Sequence, residues 1–157
     1  MIKSILFICT GNMCRSPMAE ALMKHYLQLT GIDGIQVSSA GIMTRNGQTA
    51  TPESQKVLKS RGIDISNHRT RQITPESLLE FDLILAMEDY HRDILESIAP
   101  HLAERIHLLR EFSPVKDKSM NISDPYGFDI EVYDQCARLI EDCVKGLIHR
   151  HFTGEKP

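Results

Sequence analysis

A chain of 157 residues, 41% of them hydrophobic, is long enough to bury one sizeable core and too short for two comfortable domains. A formal charge of -3 argues against a nucleic-acid surface, and no apolar run approaches the length that spans a bilayer. The four cysteines, Cys9, Cys14, Cys136 and Cys143, are not needed as a disulfide framework in a chain with a real core. The expectation is a single domain over residues 1–157, and a cytoplasmic one, because Met1-Ile2-Lys3 runs straight into strand-like sequence without the layout of a signal peptide.

Ile5-Leu6-Phe7-Ile8 reads as a first strand that ends at Cys9. In the following Thr10-Gly11-Asn12-Met13-Cys14-Arg15-Ser16-Pro17, Gly11 and Asn12 can adopt positive φ, and Ser16-Pro17 reads as an N-cap followed by proline in the first helical position. Met18, Ala21, Leu22, His25 or Tyr26, and Leu29 then recur at helical spacing until Gly31. Residues 35–40 form a second strand, turned by Gly41. Thr51-Pro52 opens a helix with Val57 and Leu58 inward, and Thr74-Pro75 opens a shorter one through Leu78 and Leu79.

Residues 81–86 are apolar apart from Asp82, as suits a central parallel strand covered on both faces. A helix from about Glu88 to Ile98 turns Ile94, Leu95 and Ile98 inward, and residues 106–109 make a fourth strand. Residues 110–128 carry little regular pattern, which in a compact domain marks a functional or mobile segment. The last helix, residues 129–148, carries Val132, Cys136, Leu139, Ile140, Cys143 and Leu147 on one stripe, and residues 149–157 read as a frayed tail. The sum is a three-layer α/β fold: a four-stranded parallel sheet, helices on both faces, and an anion-binding loop after the first strand.

Strand, polar loop and helix start make an anion site, since loop N–H groups and the helix N-terminus converge on an oxyanion. Arg15 adds a planar fork, and Cys9 sits at the carboxyl end of a parallel strand, where ligands of open sheets bind and where positive features favour a thiolate nucleophile. Where such a nucleophile displaces an oxygen leaving group, a carboxylic acid nearby is needed to protonate that group as it departs. Asp124, biased toward extended geometry by Pro125, is one candidate beside Asp117 and Asp129, although an Asp-Pro pair by itself is more often just a turn. The chemistry calls for no metal and no cofactor. Cys136 and Cys143 lie about 10.5 Å apart along a helix, too far for a disulfide or a shared zinc, and read as core residues. Cys14 follows Cys9 closely enough for a reversible loop disulfide that would protect or silence the nucleophile.

The stretch from Ile8 through Cys9-Thr10-Gly11-Asn12-Met13-Cys14-Arg15-Ser16-Pro17 resembles the signature of the low-molecular-weight protein tyrosine phosphatase family. Ser39-Ala40-Gly41, His68-Arg69-Thr70-Arg71-Gln72-Ile73, Asp82-Leu83-Ile84-Leu85-Ala86-Met87 and Asp124-Pro125-Tyr126 extend the resemblance in the family's order. It implies that Cys9 forms a cysteinyl-phosphate, and that Arg15 with Thr10, Gly11, Asn12, Met13, Cys14 and Ser16 holds the phosphate. By the same resemblance Ser39 and His68 support Asn12, Asp124 is the acid and then the base, and Arg45, Asn46 and Tyr126 flank the cleft. The implied partner is a phosphorylated protein, a tyrosine kinase being one candidate.

Two related activities compete. Protein arginine phosphatases resemble the chain along Asn46-Gly47-Gln48-Thr49-Ala50-Thr51-Pro52, but that specificity is associated with a small threonine where this chain has Met13. Arsenate reductases need further cysteines after the central strand, where this chain has Met87-Glu88-Asp89-Tyr90-His91. A non-catalytic phosphate-binding module is disfavoured because nucleophile, arginine and acid candidates are all present.

Overall fold

The computed structural model describes residues 1–115 and 119–153. β1 (Ser4–Cys9) is buried along its whole length, as its near-continuous apolar sequence requires of a central strand. It lies between β2 (Gln36–Gly41) and β3 (Leu83–Ala86), with β4 (Ile106–Leu108) beyond β3, and every pairing is parallel. Alternate residues of β1 point to opposite faces. Ile5, Phe7 and Cys9 join the core under α1 (Arg15–Leu29), α2 (Pro52–Lys59) and α5 (Ile130–Phe152). Leu6 and Ile8 join the core under α3 (Pro75–Leu78), α4 (Asp89–Ile98) and the 3₁₀ turn Pro100–Arg105. The expected layers and strand count are therefore present, and the carboxyl ends of β1 and β3 open side by side onto one edge.

The caps expected at Thr51 and Thr74 are present, and Asp129 supplies a third. Thr51 accepts from the Ser54 N–H ahead of Pro52, Thr74 and Ser77 form a reciprocal capping box ahead of Pro75, and Asp129 accepts from the Val132 N–H at the start of α5. Helix faces were harder to read. In α1, Leu29 is 66% exposed, while Arg15, Ser16, Ala19, Met23 and Leu27 are buried. The helix must aim its first turn at the loop over Cys9, and that rotates the buried stripe away from the most apolar spacing. In α4 the line from His91 to Leu95 faces the sheet and Ile94 and Ile98 stand half in solvent, because His91 is drawn inward by polar partners. In α5 Tyr133 is buried in place of Val132.

The C-terminal helix also outruns its expected end. It continues to Phe152, which packs against the core, and Arg150 stacks over the Phe112 ring. Of the tail expected to fray, residues 149–152 are therefore helical, and residues 154–157 lie outside the described residues. The reason is tertiary: the short 3₁₀ turn Leu109–Phe112 lies against α5 and gives its last turns a surface to cover.

That contact depends on one missing side chain. A Cβ on Gly146 would sit 2.0 Å from the Phe112 carbonyl oxygen. In an isolated helix Gly→Ala gains about 1 kcal/mol, whereas forced overlap in a packed interior costs about 1–3 kcal/mol or more. Gly146→Ala is expected to lower stability to urea by about 2 kcal/mol, and a variant more stable than wild type would refute the close approach.

Candidate active site

The loop from Cys9 to Arg15 closes onto the Cys9 sulfur. The Asn12 N–H points at Sγ from 3.3 Å and the Ser16 hydroxyl lies 3.0 Å from it. Asn12 carries the turn alone: among the described residues it is the only non-glycine with positive φ, at 56°, while Gly11 does not adopt one. The expected N-cap is also displaced. α1 begins two residues early, at Arg15, with Cys14 at the cap position and no side-chain cap, which frees the Ser16 hydroxyl for the sulfur.

Asn12 is held in its left-handed conformation by every polar group it has. Its amide nitrogen donates to Ser16 Oγ at 2.7 Å and to Ser39 Oγ at 2.9 Å, and its Oδ1 accepts from the Arg71 N–H at 3.0 Å. His68 Nε2 lies 2.8 Å from its carbonyl oxygen, which can only accept, so that nitrogen carries the proton. Ser39 in turn donates to Glu20 Oε1 at 2.7 Å. Because the amide supplies the proton between Asn12 and Ser16, the Ser16 hydroxyl proton remains available for Cys9 Sγ. The chain thus ends on the sulfur with a donor. Ser39 and His68 stand where the sequence placed them, whereas Glu20 and Arg71 were not anticipated.

Arg15 is 1% exposed. Its Nη1 donates to the Ile122 carbonyl at 2.7 Å and lies 3.2 Å from Glu88 Oε2, while Nη2 is 3.6 Å from Asp124 Oδ2. Burial works against its charge, but Cys9, Asp124 and Glu88 together more than offset it and raise its pKa above the ordinary value. Its Nε is buried with no hydrogen-bond partner. One edge of the guanidinium is therefore anchored, and the edge carrying Nε and Nη2 keeps donors for a bidentate grip on an oxyanion.

Cys9, Thr10, Gly11, Met13, Cys14 and Arg15 line a cavity of about 210 Å³, closed on its far side by Asp124 and Tyr126. A cysteine under two donors, a half-satisfied buried arginine and a carboxylate share one small space. Residues 4–155 match the family model for low molecular weight phosphotyrosine protein phosphatase. The chain belongs to this family.

Among its relatives, the probable low molecular weight protein-tyrosine-phosphatase EpsP of Ralstonia nicotianae is 35% identical over 150 residues, covering 96% of this chain and 97% of that protein. A protein-arginine-phosphatase of Geobacillus stearothermophilus is 36% identical over 146 residues, covering 93% and 91%. The crystal structure of the low molecular weight protein tyrosine phosphatase from T. tengcongensis superposes with a TM-score of 0.86 at 37% identity, covering 94% of this chain and 98% of that one. The chain is accordingly a phosphatase of the low-molecular-weight protein-tyrosine class, with phosphorylated proteins as substrates.

Against this family background the remaining residues take their places. Asp124 is half exposed, and its Oδ1 accepts the Tyr126 N–H at 3.0 Å. Of the other two candidates, Asp129 caps α5, and Asp117 lies outside the described residues. Arg45 and Asn46 are exposed on a neighbouring loop and do not line the cavity. The Arg45 carbonyl accepts the Thr70 hydroxyl, and Asn46 Oδ1 accepts the Gln72 N–H at 2.8 Å, so this loop braces the strand-like segment that carries Arg71.

Cys14 is buried against Tyr133 Oη at 3.4 Å and Thr51 Oγ1 at 3.6 Å, and burial raises its pKa. Cys136 is buried in the core, its pKa pushed up to about 12 by burial, and Cys143 is fully buried. Among the described residues no cluster of three or more His, Cys, Asp or Glu is placed to hold a metal ion, and no helix is long and apolar enough to cross a membrane.

His91 and Glu88 reach the loop from the end of β3. His91 is fully buried; its Nδ1 accepts the Glu88 N–H at 3.1 Å, so Nε2 carries the proton and donates to Thr10 Oγ1 at 2.8 Å, which the Tyr90 hydroxyl also meets. Burial, reinforced by Arg15, lowers its pKa from 6.5 to about 4. The unfolded chain therefore binds this proton first, so the stability held by neutral His91 is complete above pH 6.5 and lost as pH falls toward 4. At about 1.4 kcal/mol per unit the loss approaches about 3 kcal/mol. His91→Gln keeps a neutral donor, and its urea stability should decline less steeply than wild type between pH 6.5 and 4. Parallel curves would refute the assignment.

Proposed function

We propose that the enzyme hydrolyses protein phosphotyrosine in two steps through Cys9, Arg15 and Asp124. In the first, the Cys9 thiolate attacks phosphorus in line with the ester oxygen; the S–P bond forms, the P–O bond breaks, and Asp124 gives its proton to the departing phenolate. In the second, Asp124 takes a proton from water, whose oxygen displaces sulfur and releases inorganic phosphate. Three oxygens of the transferring phosphoryl group meet Arg15 and the N–H groups of the loop and first turn of α1. Ser16 and Asn12 stabilise the sulfur as it leaves.

The observation that carries this reading is the buried Arg15 Nε without a partner, beside a sulfur that already has two donors. A native interior rarely leaves such a donor orphaned, and a phosphate placed over Cys9 satisfies it. Asp124 Oδ2 lies 3.6 Å from Arg15 Nη2, and its carboxyl shares the small cavity with the Cys9 sulfur.

Met13 and Tyr126 favour an aromatic ester. They form apolar walls of a narrow cavity into which a phenyl ring fits flat, and Tyr126 can stack on it. The competing reading, phosphoarginine, is favoured by the arginine-phosphatase relatives but meets methionine where that specificity is associated with threonine. A tyrosine kinase is one phosphorylated partner this reading admits.

Peptides bearing phosphotyrosine, phosphoserine and phosphoarginine distinguish these readings. Phosphotyrosine should be turned over best, and Asp124→Ala should lower its kcat by about 10²–10⁴-fold, with a smaller loss on p-nitrophenyl phosphate, whose leaving group needs less protonation. Equal rates in wild type and Asp124→Ala would remove Asp124 from the role. Met13→Thr should shift the ratio of kcat/KM toward phosphoarginine by about tenfold, the scale of one reshaped apolar contact. An unchanged ratio would separate Met13 from specificity.

A further inference from the structure

A second concavity, of about 820 Å³, lies between α2 and the start of α5. Its apolar wall is Phe128 and Ile130, which are 63% and 44% exposed. The two cavities share no lining residue, but each wall of the groove is tied through the backbone to an element of the catalytic cavity. On one side, Pro125 to Phe128 form a tight turn closed by the Phe128 N–H on the Pro125 carbonyl at 3.0 Å, with Gly127 at φ 86°; this turn offers Tyr126 to the catalytic cavity and Phe128 to the groove. On the other side, the Thr51 N–H donates to the Met13 carbonyl at 3.0 Å, so Pro52 at the head of α2 is tied to the loop over Cys9.

We propose that this groove is a subsite for the substrate polypeptide, taking a large apolar side chain two to three residues from the phosphorylated residue. The proposal rests on the phosphatase reading above and extends it to the chain that carries the phosphate. Tyr126 and Phe128 are two positions apart, so their Cα atoms are separated by at most about 7 Å, which an extended substrate spans in two residues. The charged groups along the groove are mixed, Lys56 and Lys59 against Glu53, Asp64 and Asp129, so they select no single sign of charge. Apolar contact with Phe128 and Ile130 is what remains to discriminate. A substrate side chain seated there removes two exposed apolar residues from water together with its own surface.

The test compares kcat/KM for short phosphotyrosyl peptides carrying Leu or Ser two and three residues on either side, with p-nitrophenyl phosphate as the small probe. Wild type should favour Leu by about tenfold at one of these positions, the scale of burying one such side chain. Phe128→Ser and Ile130→Thr, both at exposed positions, should abolish that preference and leave turnover of p-nitrophenyl phosphate within about twofold of wild type. A preference that survives both substitutions, or a wild type that hydrolyses the small probe with no preference among peptides, overturns the subsite. A wild type that hydrolyses no aryl phosphate overturns the phosphatase reading itself.

Discussion

A positive charge held in a protein interior sets the terms for this structure. Arg15 is 1% exposed, and a buried ion costs several kcal/mol unless its surroundings compensate it. The compensation comes from three separate parts of the chain: Glu88 from the end of β3, the Ile122 carbonyl and Asp124 from the irregular segment before α5, and Cys9 from β1. These parts are brought together because β1 and β3 are parallel neighbours whose carboxyl ends open on the same edge. The sheet topology thus makes an otherwise costly arginine tenable, and its unsatisfied Nε leaves it ready for an oxyanion.

The loop that carries Arg15 is equally over-determined. A non-glycine residue at positive φ is strained by about 1–2 kcal/mol, and Asn12 accepts that strain only because five hydrogen bonds fix its side chain, N–H and carbonyl. The benefit is that the Asn12 N–H and the Ser16 hydroxyl are oriented before any substrate arrives, so little reorganisation is needed when charge returns to sulfur. Asp124 follows the opposite rule. In the proposed mechanism it gives and takes a proton on different oxygens, and it sits half exposed on a turn rather than on a strand. The braced cradle and the proposed acid are divided between the regular and irregular parts of the fold.

Much of this was legible in the linear chain. Asp124 stood out from Asp117 and Asp129 only through the resemblance of Asp124-Pro125-Tyr126 to the family, whereas Cys9 and Arg15 were legible as an anion-loop pair by a local rule, a cysteine at a strand end and an arginine six positions on. The strands and most helix starts were legible for the same reason, since alternation, caps and prolines act over a few residues. Glu20, Arg71, Glu88 and His91 were not. Each acts on the loop from a different element, and no spacing along the chain announces such a partner.

Sequence alone determined the chemistry on offer: a thiol, a guanidinium and a carboxyl on a parallel α/β framework with an anion loop after the first strand. Tertiary structure decided how those groups are presented. It turned α1 so that Arg15 and Ser16 face inward, used the Ser16 hydroxyl for sulfur instead of a helix cap, and took Arg45 and Asn46 away from the cavity to brace the segment behind it. The physical reason is one of range. Propensity and capping act within a turn or two, whereas satisfying a buried charge and a strained loop requires donors and acceptors that only the packing of distant segments can supply.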